Sequence, residues 1–341
     1  MIVPFRGAPG WHGGLSERLL LHRCICPVED ASNGRPILGG ERFLAGEVLD
    51  DHPALYPRRS DKDRLRIDRE WFVMRPMHRP AILITGASAG LGAEFARQLA
   101  PRASTLILAA RRRDRLDVLA REVARDGLTV HCLTVDLGDE ADTTRFLGEV
   151  EALGTSVDIL VNNAGCGDHG LFEQSEWPRV RSMVSVNIRA LLQITHAILP
   201  GMIVRGKGAI LNVSSIASLL PLPQMAVYAA TKACITSFSE ALRAELRGTG
   251  VTCTALCPGP VDTEFFTVAE RPGTESSQAA PAAFKVSATQ VVAEGIRAMD
   301  DDRARVIPGW FVFLVMTVTT LVPMWILRVI LRQRGRGFTG H

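Results

Sequence analysis

A glycine-rich turn between an apolar run and a helical pattern constrains the fold of this chain more than any other feature. The apolar residues 81–84 predict a short buried strand, and Gly86, Gly90 and Gly92 come directly after it. Residues 91–99 then carry apolar side chains at every fourth position, which is the spacing of one helical face. A strand, a glycine turn and a helix in this order form the opening unit of a dinucleotide-binding fold.

Each of the three glycines has its own predicted task. Gly86 allows the tight turn after the strand, Gly90 lets the backbone approach a pyrophosphate, and Gly92 lets the helix pack closely on the strand. The helix N-terminus adds N–H donors and a positive dipole end for phosphates. The spacing G-x-x-x-G-x-G differs from the general G-x-G-x-x-G fingerprint, and an isolated glycine trio is equally compatible with an ordinary turn. The interpretation therefore depends on the strands, helices and side chains further along the chain.

From residue 81 onward, strand patterns alternate with helical patterns, as a doubly wound sheet requires. Strands are predicted at residues 81–84, 105–109, 129–135, 158–161, 209–213, 252–257 and 304–307. Further helices are predicted at residues 113–126, 140–153, 177–199, 226–247 and 288–299, and a loop of low order at residues 259–286. The predicted fold class is α/β, a Rossmann-type doubly wound parallel sheet with helices on both faces.

Residues 1–79 differ in character from the rest of the chain. They are rich in Pro, Gly and Arg, lack a sustained apolar period, and contain one fair helix candidate at residues 15–25. Because such a segment buries little apolar surface, we expect a disordered N-terminal extension. Met74 and Met77 lie just ahead of the first strand, which raises the hypothesis that the extension is absent from the mature protein. An arm that contacts a partner is the alternative.

The pattern from Thr85 to Gly92 resembles the T-G-x-x-x-G-x-G signature of the classical short-chain dehydrogenase/reductase family. The resemblance extends from about Pro80 to about Gly309, and it implies one Rossmann domain at residues 80–308 with strand order 3-2-1-4-5-6-7. Residues 162–165 match the family's N-N-A-G stretch, and residues 258–263 resemble its P-G motif, in which Thr263 would contact the nicotinamide carboxamide. Besides the catalytic residues, the cofactor contacts that the resemblance implies are Gly86, Ser88, Gly90, Leu91, Gly92, Asp136, Leu137, Asn163, Ala164, Gly165, Pro258, Gly259, Val261 and Thr263.

The end of the second predicted strand bears on the choice between NAD and NADP. A carboxylate there would bind the ribose 2′-hydroxyl, whereas a basic residue accommodates a 2′-phosphate. The chain carries no acid at this point and continues with Arg111, Arg112 and Arg113. A guanidinium group can donate two parallel hydrogen bonds to the oxygens of one phosphate. We therefore predict NADP(H), with Arg111 as the main contact. A solvated helix start is the alternative role for these arginines.

Tyr228 and Lys232 are four residues apart and therefore lie on one face of a predicted helix. Such a pair alone is common at protein surfaces, but Ser215 lies thirteen residues before Tyr228, just past a predicted strand. This arrangement resembles the catalytic one of the family. The resemblance implies that Asn187 is the fourth catalytic member and holds a water that relays protons to Lys232. Ser214 is the rival for the serine role, and the spacing favours Ser215.

These residue types suit carbonyl reduction, which needs a hydride at carbon and a proton at oxygen. A free tyrosine titrates near ~10, and a nearby ammonium lowers that pKa by favouring the phenolate. We therefore expect Lys232 to lower the pKa of Tyr228, which would act as general acid in reduction and as base in oxidation. Ser215 would orient the substrate oxygen and stabilise its developing charge. The resemblance implies that Lys232 also binds the nicotinamide ribose.

Charge and cysteine content argue against other classes of function. The chain has 39 Lys and Arg against 36 Asp and Glu, and this net charge of +3 gives no argument for nucleic-acid binding. Its 7 cysteines match no zinc spacing, so no metal is predicted. We expect reduced thiols and a cytoplasmic protein.

The C-terminal segment at residues 309–341 is unusually apolar. No charged residue lies between Arg305 and Arg328, and such a stretch is long enough to be a transmembrane candidate. Pro323 instead predicts two shorter helices, at about residues 310–321 and 324–333. A substrate lid or an oligomer contact ranks slightly above membrane contact through residues 306–331, and both rank above a full span.

The sequence thus predicts an NADP(H)-dependent oxidoreductase that interconverts a carbonyl and an alcohol. Phe265, Phe266 and Phe284 in the long loop, together with the apolar tail, favour an apolar small-molecule substrate. A homo-oligomer, either a dimer or a tetramer, is expected. Two alternatives stay open: a membrane-associated enzyme of lipid, sterol or retinoid type, and a non-catalytic NADP-binding sensor or scaffold.

Overall fold

Strands made almost entirely of aliphatic residues form the centre of the structure. The computed structural model describes residues 79–271 and 284–335. These residues form a seven-stranded parallel sheet in the order β3-β2-β1-β4-β5-β6-β7, which confirms the predicted doubly wound sheet. The strands are β1 (Ala81–Thr85), β2 (Thr105–Ala110), β3 (Thr129–Thr134), β4 (Ile159–Asn162), β5 (Gly208–Val213), β6 (Val251–Leu256) and β7 (Arg305–Val306).

Helices connect the strands and cover both faces of the sheet. They are α1 (Gly90–Leu99), α2 (Arg113–Val123), α3 (Glu140–Ala152), α4 (Trp177–Val184), α5 (Leu191–Arg205), α6 (Ala226–Glu245), α7 (Glu264–Ala269), α8 (Ala288–Asp300), α9 (Trp310–Leu321) and α10 (Met324–Gly335). A π-helical segment, Ser185–Ala190, joins α4 to α5.

Alternating side chains of β1 divide the core into two layers. Ile82 and Ile84 pack with α1, α2 and α8, whereas Leu83 packs on the opposite face with α3, α5 and α6. Burial on both faces explains why β1 is apolar throughout. The strand order reverses at β1, where Ile82 pairs with Leu106 on one side and Ile159 on the other. Open α/β sheets bind their ligands at the carboxyl edge beside such a reversal.

Two predicted elements differ from the structure. The helix predicted at residues 177–199 is interrupted by the π-helical segment, and it continues through Pro200 until Gly206 ends it in a left-handed conformation. Residues 259–286, predicted as a loop of low order, contain the helix α7. The other predicted strands and helices agree with the structure to within a few residues at each end.

One described helical stretch is long and apolar enough to cross a membrane. It is Trp177–Arg205, and 33% of its apolar window is buried inside the protein. The shorter apolar helix α9 belongs to the C-terminal tail. The helix candidate at residues 15–25, the possible starts at Met74 and Met77, and the predicted disorder up to residue 78 lie outside the described residues.

Candidate active site

The turn between β1 and α1 has a backbone that only glycine accommodates. Gly86 and Gly90 adopt positive φ angles of 67° and 55°. A Cβ atom on Gly92 would lie 2.2 Å from the carbonyl oxygen of Gly86, so any side chain there would push the helix off the strand. The predicted roles of turn and close packing therefore correspond to the observed geometry.

Residues that come after β4 hold this turn in place. The Asn163 side chain donates from Nδ2 to the carbonyl oxygens of Thr85 (2.9 Å) and Gly86 (3.2 Å). The hydroxyl of Thr85 accepts the backbone N–H groups of Asn163 and Ala164, both at 3.1 Å. The N-N-A-G stretch thus fixes the glycine turn, and the Nδ2 group of Asn163 is occupied by these hydrogen bonds.

The N-terminus of α1 fits an anionic group. Its N-cap residue is Ala89, which has no side chain that can cap the helix, and the first turn contains no acidic residue. The N–H groups that Ser, Thr or Asp usually satisfies are therefore left for a ligand, and the helix dipole favours a negative one. Together with the close approach at Gly90, this cradle suits a pyrophosphate.

Arginines at the end of β2 lie next to the glycine turn. The Arg112 guanidinium approaches the Ser88 hydroxyl at 3.4 Å through both Nε and Nη2. Arg112 and Arg115 also bind the two carboxylate oxygens of Glu264, at 2.9 and 2.5 Å. The sequence singled out Arg111, which is exposed, whereas the geometry brings Arg112 to the turn. Arg115 was missed, although its position one helical turn after Arg112 could have indicated it.

Asp136 and Leu137, two of the predicted cofactor contacts, have different surroundings. Asp136 is exposed, and its Oδ1 accepts the backbone N–H of Gly138 at 2.9 Å. The Leu137 side chain is buried in the core, and its carbonyl oxygen accepts a hydrogen bond from Arg189. The side chain of Leu137 therefore faces away from any ligand, which leaves Asp136 as the only side chain of the pair that can reach one.

Tyr228 and Lys232 lie one turn apart on α6, and both are buried. The Lys232 ammonium donates to the carbonyl oxygen of Val213 at 2.9 Å and lies 5.7 Å from the centre of the Tyr228 ring. Ser215 comes just after β5 and is half-buried beside the phenol. The structure thus brings together three of the four predicted catalytic residues at the carboxyl edge of the sheet.

Burial has the largest effect on the pKa values of Tyr228 and Lys232. It raises the pKa of Tyr228 to about 12, with the hydroxyl of Ser215 acting in the opposite direction. Burial also lowers the pKa of Lys232 to about 8. The pKa of Tyr228 is therefore raised in the protein alone, against the expectation that Lys232 lowers it, because desolvation of the phenolate has the largest effect.

The two adjacent serines have different surroundings. Ser214 is buried, and its hydroxyl donates to the carbonyl oxygen of Lys232 (2.9 Å) and pairs with the Thr236 hydroxyl (2.7 Å). The hydroxyl of Ser215 accepts the N–H of Ala217 at 3.1 Å and stays on the side of Tyr228. The geometry therefore supports the predicted choice of Ser215.

Asn187 lies in the π-helical segment and is fully buried. Its amide donates to the carbonyl oxygen of Cys166 (2.9 Å) and to the Thr231 hydroxyl (3.0 Å), and its Oδ1 accepts the Cys166 N–H (2.9 Å). A Cβ on Gly165 would lie 3.3 Å from Asn187 Oδ1 and 3.4 Å from Lys232 Nζ. Asn187 thus borders the lysine across Gly165, and its side-chain donors are occupied, so only its oxygens are available to a relay water.

The segment after β6 closes over both halves of the site. The carbonyl oxygen of Pro258 accepts the N–H of Ile216 at 3.0 Å, which joins the P-G motif to the serine loop. A Cβ on Gly90 would lie 3.4 Å from the Thr263 side chain. Val261 is buried, and Gly259 lies against Phe284. Of the predicted cofactor residues after β6, Thr263 therefore lies next to the glycine turn.

A buried ion pair, which sequence reasoning missed, ties this segment down. Arg271 donates to both carboxylate oxygens of Asp168, at 2.9 and 2.6 Å, and Asp168 is only 5% exposed. The same carboxylate binds Arg179 at 3.2 Å, and these guanidinium groups hold its pKa below the usual range. No local motif could have indicated a pair so distant in sequence.

Apolar side chains surround the phenol. The ring of Phe265 lies 5.4 Å from that of Tyr228, at an angle of 50°. Met183, Leu222 and Met225 pack in the same cluster. Among the described residues no group of three or more His, Cys, Asp or Glu could hold a metal ion.

A cradle for a pyrophosphate beside a Ser-Tyr-Lys group at the switch point of a doubly wound sheet defines a dinucleotide-dependent oxidoreductase. The model of the short chain dehydrogenase family matches residues 80–272, which is more than half of the chain. The protein belongs to the short-chain dehydrogenase family, as the sequence resemblance predicted.

Relatives and solved structures agree with this assignment. The chain is 37% identical over 220 residues to sulfoacetaldehyde reductase 2 of Chromohalobacter salexigens, and the match covers 63% of this chain and 84% of the relative. It is similar to a short-chain dehydrogenase from Sphingobium yanoikuyae in complex with NADPH, with 28% identity, coverage of 77% and 96%, and a TM-score of 0.61. It is also similar to the closed form of a serine dehydrogenase complexed with NADP+, with 30% identity, coverage of 67% and 93%, and a TM-score of 0.59.

Proposed function

We propose that the protein is an NADP(H)-dependent oxidoreductase that interconverts a ketone or aldehyde and the corresponding alcohol. The observation that carries the proposal is the convergence of Ser215, Tyr228 and Lys232 at the sheet edge that also holds the glycine turn. The similar structures with bound NADPH and NADP+ support the choice of cofactor.

The residues around the glycine turn fit this cofactor. The uncapped N-terminus of α1 and the positive-φ backbone at Gly90 would hold the pyrophosphate. Arg112, with Arg111 and Arg115 beside it, would hold the 2′-phosphate, since β2 ends without a carboxylate. When bound, NADPH supplies the hydride.

Tyr228 would supply the proton to the substrate oxygen during reduction. With a pKa raised to about 12, the phenol keeps its proton at neutral pH and is ready to donate it. In the oxidation direction the phenolate must form, and a charged Lys232 at 5.7 Å from the ring would favour it. Burial lowers the pKa of Lys232 to about 8, because desolvation disfavours its charged form.

Ser215 would bind the substrate oxygen and stabilise the charge that develops on it. Its hydroxyl accepts the N–H of Ala217 and keeps its own proton available as a donor. Asn187 would support Lys232 from the far side of Gly165, through a water on its oxygens.

The substrate is proposed to be an apolar small molecule. The side chains that pack around the phenol include Met183, Leu222, Met225 and Phe265, and none of them is charged. Burying apolar substrate surface against them would contribute about 25 cal/mol per Å² to binding. Thus the walls of the site favour a hydrophobic carbonyl compound over a charged one.

A homo-oligomer, either a dimer or a tetramer, is proposed as the working form in the cytoplasm. The helical stretch from α4 to α5 exposes Trp177, Val184, Leu192 and Val204, with 36% to 88% of each residue accessible. Aromatic and aliphatic residues on one exposed helical stretch are typical of a subunit contact.

The experiment that tests the function is NADPH oxidation against a panel of aldehydes and ketones, with Tyr228→Phe as the key variant. We expect Tyr228→Phe to lower kcat by a factor of about 10² to 10⁴, because the proton donor is lost while the ring packing is kept. NADPH binding, measured by cofactor fluorescence, should change little.

Each other outcome has a defined meaning. Full turnover in Tyr228→Phe would refute the role of the tyrosine. Tight NADPH binding without turnover of any substrate on the panel would favour the sensor or scaffold. Absence of NADPH binding would refute the cofactor assignment.

A further inference from the structure

The C-terminal helices expose an apolar surface. The tail surface consists of residues that are each 47% to 79% exposed, namely Trp310, Phe313, Leu314, Val318, Leu321, Met324, Trp325 and Val329. They are eight of the fourteen large hydrophobic residues that are exposed in the described part of the chain. Exposed apolar side chains concentrated in one short segment of a folded protein indicate a site of interaction.

The core fixes the orientation of α9. Val312 and Met316, one helical turn apart, are buried and pack into the main hydrophobic cluster. Trp310, Leu314 and Leu321 lie on the opposite side of the helix. A surface helix of a soluble protein normally turns polar residues to that side. Since α9 is held by the core and is still apolar outward, its outer face needs an apolar environment.

The geometry of the tail excludes a membrane span. The helix α9 ends at Leu321, Val322 is extended, and Pro323 precedes α10. Each helix has 12 residues and is therefore about 18 Å long, whereas a hydrocarbon core is about 30 Å thick. Neither helix is long enough to cross a bilayer alone, whereas two short helices interrupted at Val322 and Pro323 can lie in its interface.

The charge of the tail indicates which interface it suits. Residues 306–341 contain no Asp or Glu, and they carry Arg328, Arg332, Arg334 and Arg336. In a symmetric contact between two copies of this segment, the arginines of one copy would lie near those of the other and repel them. Anionic lipids would instead attract these arginines. Trp310 and Trp325 are tryptophans, a residue type that is enriched at the headgroup region of membranes.

We propose that α9 and α10 bind the surface of an anionic membrane, with the tail surface at the boundary between headgroups and acyl chains. Arg328, which is exposed on α10, binds the anionic headgroups. Phe311 of α9 packs edge-on against Phe284 at 5.5 Å, so the membrane-binding helix directly contacts the end of the substrate loop.

The test is co-sedimentation of the full chain with phosphatidylcholine vesicles, prepared with and without phosphatidylglycerol. We expect binding to the vesicles that contain phosphatidylglycerol, weaker binding at high salt, and little binding to phosphatidylcholine alone. Because the readout is binding, it is independent of catalytic activity. Equal binding to both vesicle types, or no binding at low salt, would overturn the proposal.

The chain offers matched variants for this experiment. Val318 in the tail and Val118 on α2 are both 56% exposed, so Val318→Asp and Val118→Asp make the same change at equal exposure. Arg328→Glu and Arg121→Glu form a second pair of exposed residues with equal change in charge. We expect the tail variants to lower vesicle binding roughly tenfold or more, and the α2 variants to leave it nearly unchanged.

The variants also distinguish a subunit contact. Retained NADPH binding shows that each variant is folded. Equal loss of vesicle binding in Val318→Asp and Val118→Asp would contradict a specific tail surface. If sedimentation equilibrium shows that Val318→Asp breaks an oligomer while the unaltered chain binds no vesicles, the tail surface is a subunit interface and the membrane proposal fails.

Discussion

Ser214 and Ser215 end up in different environments because successive residues of an extended segment point in opposite directions. Ser214 faces α6, where it binds the carbonyl oxygen of Lys232 and the hydroxyl of Thr236. Ser215 faces the phenol of Tyr228. The first serine therefore holds the helix that carries the tyrosine, and the second is available to a substrate.

Exchanging each serine for alanine should separate these two roles. We expect Ser215→Ala to lower kcat by about 10²-fold, because a donor to the developing oxyanion is lost. Ser214→Ala should keep most of the activity but reduce the free energy of unfolding by about 1 kcal/mol, because a buried carbonyl loses its donor. Steady-state kinetics and urea unfolding measure the two effects. A larger loss of kcat in Ser214→Ala would reverse the assignment.

Among the properties of single residues, the pKa of Tyr228 was the one that the sequence predicted least well. The spacing of Tyr228 and Lys232 correctly indicated that they share a helical face. It could not indicate that both are buried, and burial moves the pKa of the tyrosine up and that of the lysine down. Local spacing reports distance along a helix, whereas desolvation depends on elements that are remote in sequence.

The helix α7 links the cofactor side of the site to the substrate side. Its first residue, Glu264, binds Arg112 and Arg115, and Arg271 just beyond its end binds Asp168. Between them, Phe265 packs on the Tyr228 ring. The helix is thus fastened at both ends across the reacting group.

Replacing Glu264 should strengthen the binding of NADPH. If Arg112 and Arg115 hold the 2′-phosphate as proposed, the Glu264 carboxylate competes with it for the same guanidinium groups. We expect Glu264→Gln to lower the Kd for NADPH about twofold to tenfold, in keeping with two exposed ion pairs, and to leave the Kd for NADH unchanged. Titration calorimetry measures both constants.

Glu151→Gln, an exposed change on α3, serves as the matched control for Glu264→Gln. It should alter neither constant. Weaker NADPH binding in Glu264→Gln would mean that the carboxylate positions the arginines for the phosphate and does not compete with it.

At the scale of elements, strong periodicity gave reliable predictions and irregular backbone did not. The strands and most helices follow from apolar patterns, and the two tail helices follow from Pro323. The helix that was predicted to end at residue 199 continues through Pro200 and stops at Gly206. The π-helical segment that carries Asn187 has no signal in the sequence, because it depends on how α4 and α5 pack on the sheet.

At the scale of the whole molecule, the order of the seven strands could be predicted because the family resemblance implies it. The contacts that close the site could not, because they join residues far apart in the chain. Asp168 and Arg271 are one example, and Arg112 and Glu264 are another. Sequence patterns indicate which elements exist, whereas side-chain pairs between distant loops depend on the packed structure.

Cofactor binding should stabilise the molecule as a whole by mass action, since only the folded chain contains the site. A ligand whose free concentration is 100 times its Kd adds about 2.7 kcal/mol to the free energy of unfolding. If the arginines bind a 2′-phosphate, NADPH will raise Tm more than NADH at equal concentration, and Arg112→Ala will remove the difference. Arg113→Ala is the matched control, because Arg113 binds Asp117 at 2.8 Å on its own helix.

The pattern of these Tm shifts assigns the contact. Equal shifts from NADPH and NADH in the unaltered protein would contradict the choice of NADP(H). If the difference survives in Arg112→Ala and disappears in Arg111→Ala, the phosphate is bound by Arg111, as the sequence predicted, and the approach of Arg112 to Ser88 reflects its pairing with Glu264. Because differential scanning fluorimetry needs no substrate, this comparison tests the cofactor site independently of the reaction.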